Sequence, residues 1–310
     1  MRSHTALARI LIFVLLLVAA LHAQGDVYAI NVDGGKWRYW KNGKEVQAFD
    51  YDGFSIGSRC QYRGATYRTV RYNTEQSAVD KNDSKLHYLT DATDHVKTIT
   101  VSLGDVYVGG LEKNSQGEDI AVVWKNGSVL YRLTDGNAKC NVVALAVSGG
   151  NVYAGGYEKD SDGVPVAMVW KNGRVLYRLT EGSAVLSLAV SDGDVYAGGR
   201  YNSVGYMPAI VWKNGRLLHR LNSSGAAIAK SLFVQGGDVY AGGVERNAQG
   251  TWVAKVWKNG ETLYRLNDSS EAASHLVFVA KPKLKLEPPK ESENWDEDDW
   301  NDWIEQEYGL

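Results

Sequence analysis

The chain has 310 residues, of which 44% are hydrophobic, 33 are Gly and only 5 are Pro, with a formal net charge of −2. This composition supports a large buried core and argues against a disordered chain. An acidic balance behind a leader that predicts export argues against nucleic-acid binding.

Residues 1 to 23 stand apart from the rest. Arg2 and Arg9 flank a polar start, Ile10 to Leu21 is an unbroken apolar run, and Leu21-His22-Ala23 places a small residue before a cut. The pattern predicts a cleaved signal peptide and a secreted or extracytoplasmic protein, because spanning a bilayer takes about 20 apolar residues. No Cys follows the run, which argues against a lipid anchor.

From residue 24 the chain repeats itself. Trp-Lys-Asn-Gly recurs at Trp40, Trp124, Trp170, Trp212 and Trp257, with intervals of 84, 46, 42 and 45 residues. The first interval is double the others and contains a degenerate copy, Ala78 to Asp91, with Asp80 in the Trp place and Asp83 in the Gly place. Six units of about 40 to 46 residues mark a repeat architecture in which each unit buries its apolar face on its neighbours.

The unit from Asn141 to Leu179 shows the internal order. Val142 to Val147 is an apolar β-branched run, and Ser148-Gly149-Gly150 turns it into Asn151-Val152-Tyr153-Ala154-Gly155-Gly156. A polar loop leads to Val166 to Trp170, and Asn172-Gly173 connects to Val175 to Leu179. Asn-Gly between apolar runs predicts a tight hairpin, since a type I′ turn needs positive φ at both central residues. Each unit reads as four antiparallel strands, a to d, and six such units predict an all-β, six-bladed β-propeller over residues 24 to 280. Trp and Tyr in every unit read as packing between blades.

The repeat starts out of phase. Gly25-Asp26-Val27-Tyr28 is a strand b with no strand a before it, whereas Ser274 to Val279 matches Lys230 to Val234 and has no strand b after it. The C-terminal strand is expected to complete the first blade and close the ring.

The order of apolar strand, Val-Tyr-Ala-Gly-Gly, polar loop, hydrophobic strand, tight turn and Tyr-Arg-Leu resembles the kelch type of propeller, although Trp here precedes the c–d turn. The WKNG signature resembles an uncharacterised class of secreted bacterial propeller repeats. The resemblance implies the fold over about residues 26 to 280. It implies no catalytic residue and no defined ligand.

No catalytic triad or metal-ligand spacing stands out, so no catalytic residue, metal or cofactor is expected. Asp160-x-Asp162-Gly163 resembles the start of a calcium loop but lacks the remaining ligands. Cys60 and Cys140 occupy different repeat positions and read as unpaired thiols. His219 replaces Tyr in the repeat and reads as a packing residue.

The b–c and d–a loops share one face of the predicted propeller and vary between units. Tyr157, Arg200, Tyr201, Tyr206, Arg246 and Trp252 are the candidates there for stacking on a sugar or binding a peptide. Glu112, Glu158 and Glu245 share one repeat position, which is the basis of an alternative reading as a polysaccharide-acting enzyme. The opposite face carries a lysine in every c–d turn: Lys41, Lys81, Lys125, Lys171, Lys213 and Lys258. They read either as solvated turn residues or as a basic circle facing something acidic.

Residues 281 to 310 open with a Pro/Lys linker, end in ENWDEDDWNDWIEQEYGL, and carry ten acids and four lysines, a formal −6. Removing that and the +2 of residues 1 to 23 from the total of −2 leaves residues 24 to 280 at +2. Trp295, Trp300, Trp303, Ile304 and Tyr308 are the candidate docking residues of this tail, and self-association through residues 281 to 310 is one expectation for partners. A protein or glycan partner of unknown identity, with no stable membrane insertion after cleavage, completes the reading. A secreted, non-enzymatic binding or scaffold protein is the function it favours.

Overall fold

The computed structural model describes residues 27–33, 36–50, 59–71, 77–82, 84–89, 96–179, 181–201, 207–222, 225–266 and 273–279. They form six four-stranded antiparallel sheets in a propeller-like arrangement, and no helix occurs among the described residues. The first sheet joins β24 (Ala273–Val279), β1 (Val27–Asp33), β2 (Lys36–Lys41) and β3 (Lys44–Asp50). The second contains β4 (Arg59–Tyr62), β5 (Ala65–Arg71), β6 (Ser77–Lys81) and β7 (Ser84–Tyr88). The third contains β8 (Thr98–Ser102), β9 (Asp105–Lys113), β10 (Asp119–Lys125) and β11 (Ser128–Arg132). The fourth contains β12 (Cys140–Ser148), β13 (Asn151–Lys159), β14 (Pro165–Lys171) and β15 (Arg174–Leu179). The fifth contains β16 (Gly182–Ser191), β17 (Asp194–Tyr201), β18 (Ala209–Lys213) and β19 (Arg216–Arg220). The sixth contains β20 (Ala227–Gln235), β21 (Asp238–Arg246), β22 (Trp252–Lys258) and β23 (Glu261–Arg265).

The first sheet takes its first strand from the far end of the repeats. β24 pairs antiparallel with β1, with Val279 opposite Val27 and Val277 opposite Ala29. Without β24, the ladder edge of β1 would be left open, a template for pairing with another chain.

The sheets pack through the signature tryptophan. Trp170 is 1% exposed and lies in one cluster with Ala154 and Met168 of its own sheet and Tyr107, Ala121 and Val123 of the third. Equivalent layers join sheets four and five around Trp212, sheets five and six around Trp257, and sheets two and three around Trp124. Sheet six packs in the same way on Val27, Ala29 and Trp40 of sheet one. First strands meet first strands across these layers, β8 against β12, β12 against β16, β16 against β20 and β20 against β24. Truncating one such Trp to Ala typically costs about 3–5 kcal/mol.

The Gly-Gly doublet on the second strand serves two neighbours. A Cβ on Gly155 would lie 2.5 Å from Cγ1 of Val185 in the next sheet, while one on Gly156 would lie 1.8 Å from the Asn141 carbonyl of its own first strand. The register shift between Val142 and Ala144 belongs to that close approach.

Sheet two departs from the pattern. Asp80 occupies the Trp position, is 4% exposed, and accepts from Arg68 at 3.2 Å, where the other complete sheets pair Trp with Ala or Val. A buried carboxylate there needs its cation, because an unpaired buried charge is far costlier than a salt-bridged one.

Candidate functional site

The c–d turns explain why the signature keeps Lys and Asn together. Asn42, Asn82, Asn126, Asn172, Asn214 and Asn259 all have φ between 48 and 50°, a left-handed conformation that Asn tolerates better than most residues. Each asparagine oxygen accepts the backbone N–H that opens strand b, from Val27, Thr66, Val106, Val152, Val195 and Val239 at 2.8 to 2.9 Å. The Nδ2 of Asn126, Asn214 and Asn259 donates to Asp105, Asp194 and Asp238 at 2.6 to 2.7 Å, and in sheet four Asn172 donates to Asn151 instead.

The lysines follow the same division. Lys125, Lys213 and Lys258 pair with Asp105, Asp194 and Asp238 at 2.5 to 2.7 Å. The hydrogen bonds from those lysines, and then from the asparagines, hold the three carboxyls below the usual carboxylate range. Lys171 has no aspartate partner among the described residues and lies 5.2 Å from the Tyr153 ring centre, as Lys81 lies 5.5 Å from that of Tyr67. Lys41 occupies the same turn position opposite Lys44. The Asp-Asn-Lys grouping escapes sequence reading because it joins two turns about 20 residues apart. Its signal was the recurring Gly-Asp-Val-Tyr before strand b.

The signature glycine adds a contact between sheets. A Cβ on Gly215, at φ +79°, would lie 2.5 Å from the Tyr177 ring of sheet four. Gly173 meets Tyr131, Gly43 meets Tyr264 and Gly260 meets His219 in the same way, whereas Gly127 first meets the Tyr88 carbonyl at 2.6 Å and then His87. His219 therefore packs as a tyrosine substitute, and burial lowers its pKa.

On the loop side, Tyr157 is half-buried, and burial raises its phenol while the nearby Arg200 lowers it. Arg200 is exposed, with Nε donating to Ser183 Oγ at 3.1 Å. Tyr201 lies under the Arg220 guanidinium at 5.3 Å. Arg246 and Trp252 are cross-strand partners, and Arg246 Nε donates to the Gly250 carbonyl at 2.7 Å. The fold thus brings Tyr157, Arg200 and Tyr201 near one another and pairs Arg246 with Trp252 separately. Tyr206 lies outside the described residues, as do Trp295, Trp300, Trp303, Ile304 and Tyr308.

The repeated glutamates are each bound within their own sheet. Glu112 is 2% exposed and accepts from Arg132 Nε at 2.5 Å, Glu158 pairs with Arg178 at 3.5 Å, and Glu245 pairs with Lys255. Asp160 is also occupied: its Oδ1 accepts the N–H groups of Asp162 and Val164 at 3.0 and 2.9 Å. Asn114 and Asn247 do the same in sheets three and six, so the loop's requirement is an acceptor and not an acid.

One surface stands out after these pairs are assigned. Besides Lys41 against Lys44 in sheet one, sheets four and five place like charges opposite each other at the turn, with arginine as the second member: Lys171 against Arg174 and Lys213 against Arg216. Sheets three and six have Ser128 and Glu261 at the arginine position. No carboxylate among the described residues pairs with Lys171, Arg174 or Arg216. Beside them, Val175, Leu217 and Leu218 are 51%, 41% and 37% exposed, and Lys213, Asn214, Arg216, Leu217 and Leu218 line a shallow depression of about 490 Å³.

No protein-family model matches the sequence, and no curated protein matches it. Among solved structures, the computationally designed Ika8 protein is 18% identical, with 82% of this chain and 90% of that one covered and a TM-score of 0.40. A subtype N11 neuraminidase-like protein of A/flat-faced bat/Peru/033/2010 (H18N11) is 8% identical over 73% of this chain and 79% of that one, with a TM-score of 0.44. The Pyrococcus horikoshii acylaminoacyl peptidase is 13% identical over 79% of this chain and 46% of that one, with a TM-score of 0.43.

Proposed function

We propose that this chain is an exported, non-enzymatic scaffold: a closed six-bladed propeller of the WKNG-repeat type that self-associates through its acidic, Trp-rich residues 281 to 310. The observation that carries the non-enzymatic reading is the Glu112–Arg132 pair, with its counterparts at Glu158 and Glu245. The repeated carboxylates, on which a polysaccharide-acting enzyme would draw, are spent as structural ion pairs within single sheets. Two carboxyl groups of unlike environment flanking one bond are what glycoside hydrolysis uses. Self-association is supported by charge, since a −6 segment carrying three tryptophans belongs to the same chain as a +2 body with an uncompensated basic surface. Tryptophan is poorly suited to a purely solvating segment.

Sedimentation equilibrium of the full chain tests this reading. The wild type is expected to associate reversibly in the micromolar range, and Trp300→Ser/Trp303→Ser to sediment as a monomer. A monomeric wild type, or equal association by the tail variant, overturns it.

A further inference from the structure

We propose that the fourth-strand edges of sheets four and five, β15 and β19, form the surface on which residues 294–308 of another copy of this chain dock. The proposal rests on the reading that the acidic segment drives self-association, and adds where it lands.

Two observations select this surface over the other four sheets, and a third suits it to an extended peptide. Its charge is uncompensated: sheet four has Asn151 where sheets three, five and six have the aspartate that pairs the turn lysine, and Arg174 and Arg216 add two further cations with no carboxylate partner among the described residues. Like charges facing each other across a turn disfavour the isolated fold, and an acidic ligand relieves that repulsion. In sheet six the corresponding Lys258 faces Glu261 and in sheet three Lys125 faces Ser128, while sheet one sets Lys41 against Lys44 with no arginine at that turn position.

The surface is also continuous and apolar at its centre. The Tyr177 ring of β15 packs against Gly215 in the turn before β19, and Lys213, Asn214, Arg216, Leu217 and Leu218 around that turn line the depression. Like the fourth strand of every sheet, β15 and β19 are terminal, so one row of their backbone N–H and C=O groups faces outward. An extended peptide can add to such an edge, with main-chain hydrogen bonds supplying affinity and side chains supplying selectivity.

Residues 294–308 match this surface in chemistry. Asp296, Glu297, Asp298, Asp299 and Asp302 oppose Lys171, Arg174 and Arg216, while Trp300, Trp303 and Ile304 supply apolar area for Val175, Leu217 and Leu218. Arginine also stacks on indole faces, which lysine does less well.

The test compares full-length variants by sedimentation equilibrium. Arg174→Glu/Arg216→Glu is expected to weaken self-association at least tenfold, and Lys44→Glu to change it less than twofold. A mixture of Arg174→Glu/Arg216→Glu with Asp298→Lys/Asp299→Lys is expected to form heterocomplexes that neither partner forms alone. Should the double Glu variant lose the wild-type circular dichroism, Arg174→Gln/Arg216→Gln replaces it, with at least a threefold weakening expected. Wild-type association by the arginine variants, together with loss in Trp300→Ser/Trp303→Ser, overturns the docking surface and leaves the tail reading standing. A monomeric wild type overturns both.

Discussion

Asn172 holds Val152 by both of its backbone groups: the Asn172 N–H donates to the Val152 carbonyl at 2.9 Å, and the Asn172 side-chain oxygen accepts the Val152 N–H at 2.8 Å. The side chain thereby extends the b–c ladder past the end of strand c, at a residue whose φ of 49° most side chains avoid. Asn172→Ala loses a hydrogen bond worth about 0.5–1.5 kcal/mol and places Ala in a conformation costing about 1–2 kcal/mol. Urea unfolding is expected to show a loss of about 2 kcal/mol, with Asn172→Asp retaining part of it because a carboxylate still accepts.

Gly215 and Tyr177 form a pair across two sheets. Gly215→Ala forces a methyl against the Tyr177 ring and strains a φ of +79°, so a loss of about 2 kcal/mol or more is expected. In a Tyr177→Ala background the steric part disappears and only the backbone strain remains. A double-mutant cycle by urea unfolding should therefore return a nonzero coupling energy. Additive losses would show that the ring does not press on the turn.

His219 makes the interface of sheets five and six sensitive to acid. Burial lowers its pKa in the folded protein, so the neutral ring is favoured there. The unfolded chain takes up a proton below about pH 6.5 while the folded ring does not, so this contribution is present above that pH and is lost as pH falls through the folded value. His219→Tyr, which restores the residue found at Tyr131, Tyr177 and Tyr264, is expected to flatten the fall in melting temperature between pH 7 and 5. An unchanged slope would assign the acid sensitivity to other groups.

Both cysteines are free thiols, and burial raises their pKa, that of Cys60 to about 12. Since the thiolate is the nucleophile, a disulfide reagent at pH 8 should react slowly with the native protein and titrate two thiols promptly in urea. A prompt reaction of the native protein would place Cys60 in a more open setting.

Much of this architecture was readable from intervals between tryptophans, and the reason is physical. Trp124, Trp170, Trp212 and Trp257 recur because their sheets fill the same gap, and Asn-Gly recurs because the c–d hairpins of sheets one, three, four, five and six take two positive φ values. The out-of-phase ends were equally readable: the expected pairing of residues 274 to 279 with the first unit appears as β24 on β1. The Asp105–Lys125–Asn126 grouping was not, because strand pairing alone shows which two turns meet. The ion pairs of Glu112, Glu158 and Glu245 were hidden for a related reason. Their partners lie on different strands, Arg132 and Arg178 on the fourth but Lys255 on the third. The surface of sheets four and five emerges only when these pairs are subtracted from the six lysines and the arginines beside them.

Hydrogen exchange of the full chain at low and high protein concentration tests most directly the claim that residues 294 to 308 dock on the fourth-strand edges of sheets four and five. Concentration-dependent protection is predicted in residues 294 to 308 and along β15 and β19, with the c–d turns of sheets three and six unchanged. Uniform protection at all concentrations, or protection confined to the turns that carry Lys125 and Lys258, would contradict it.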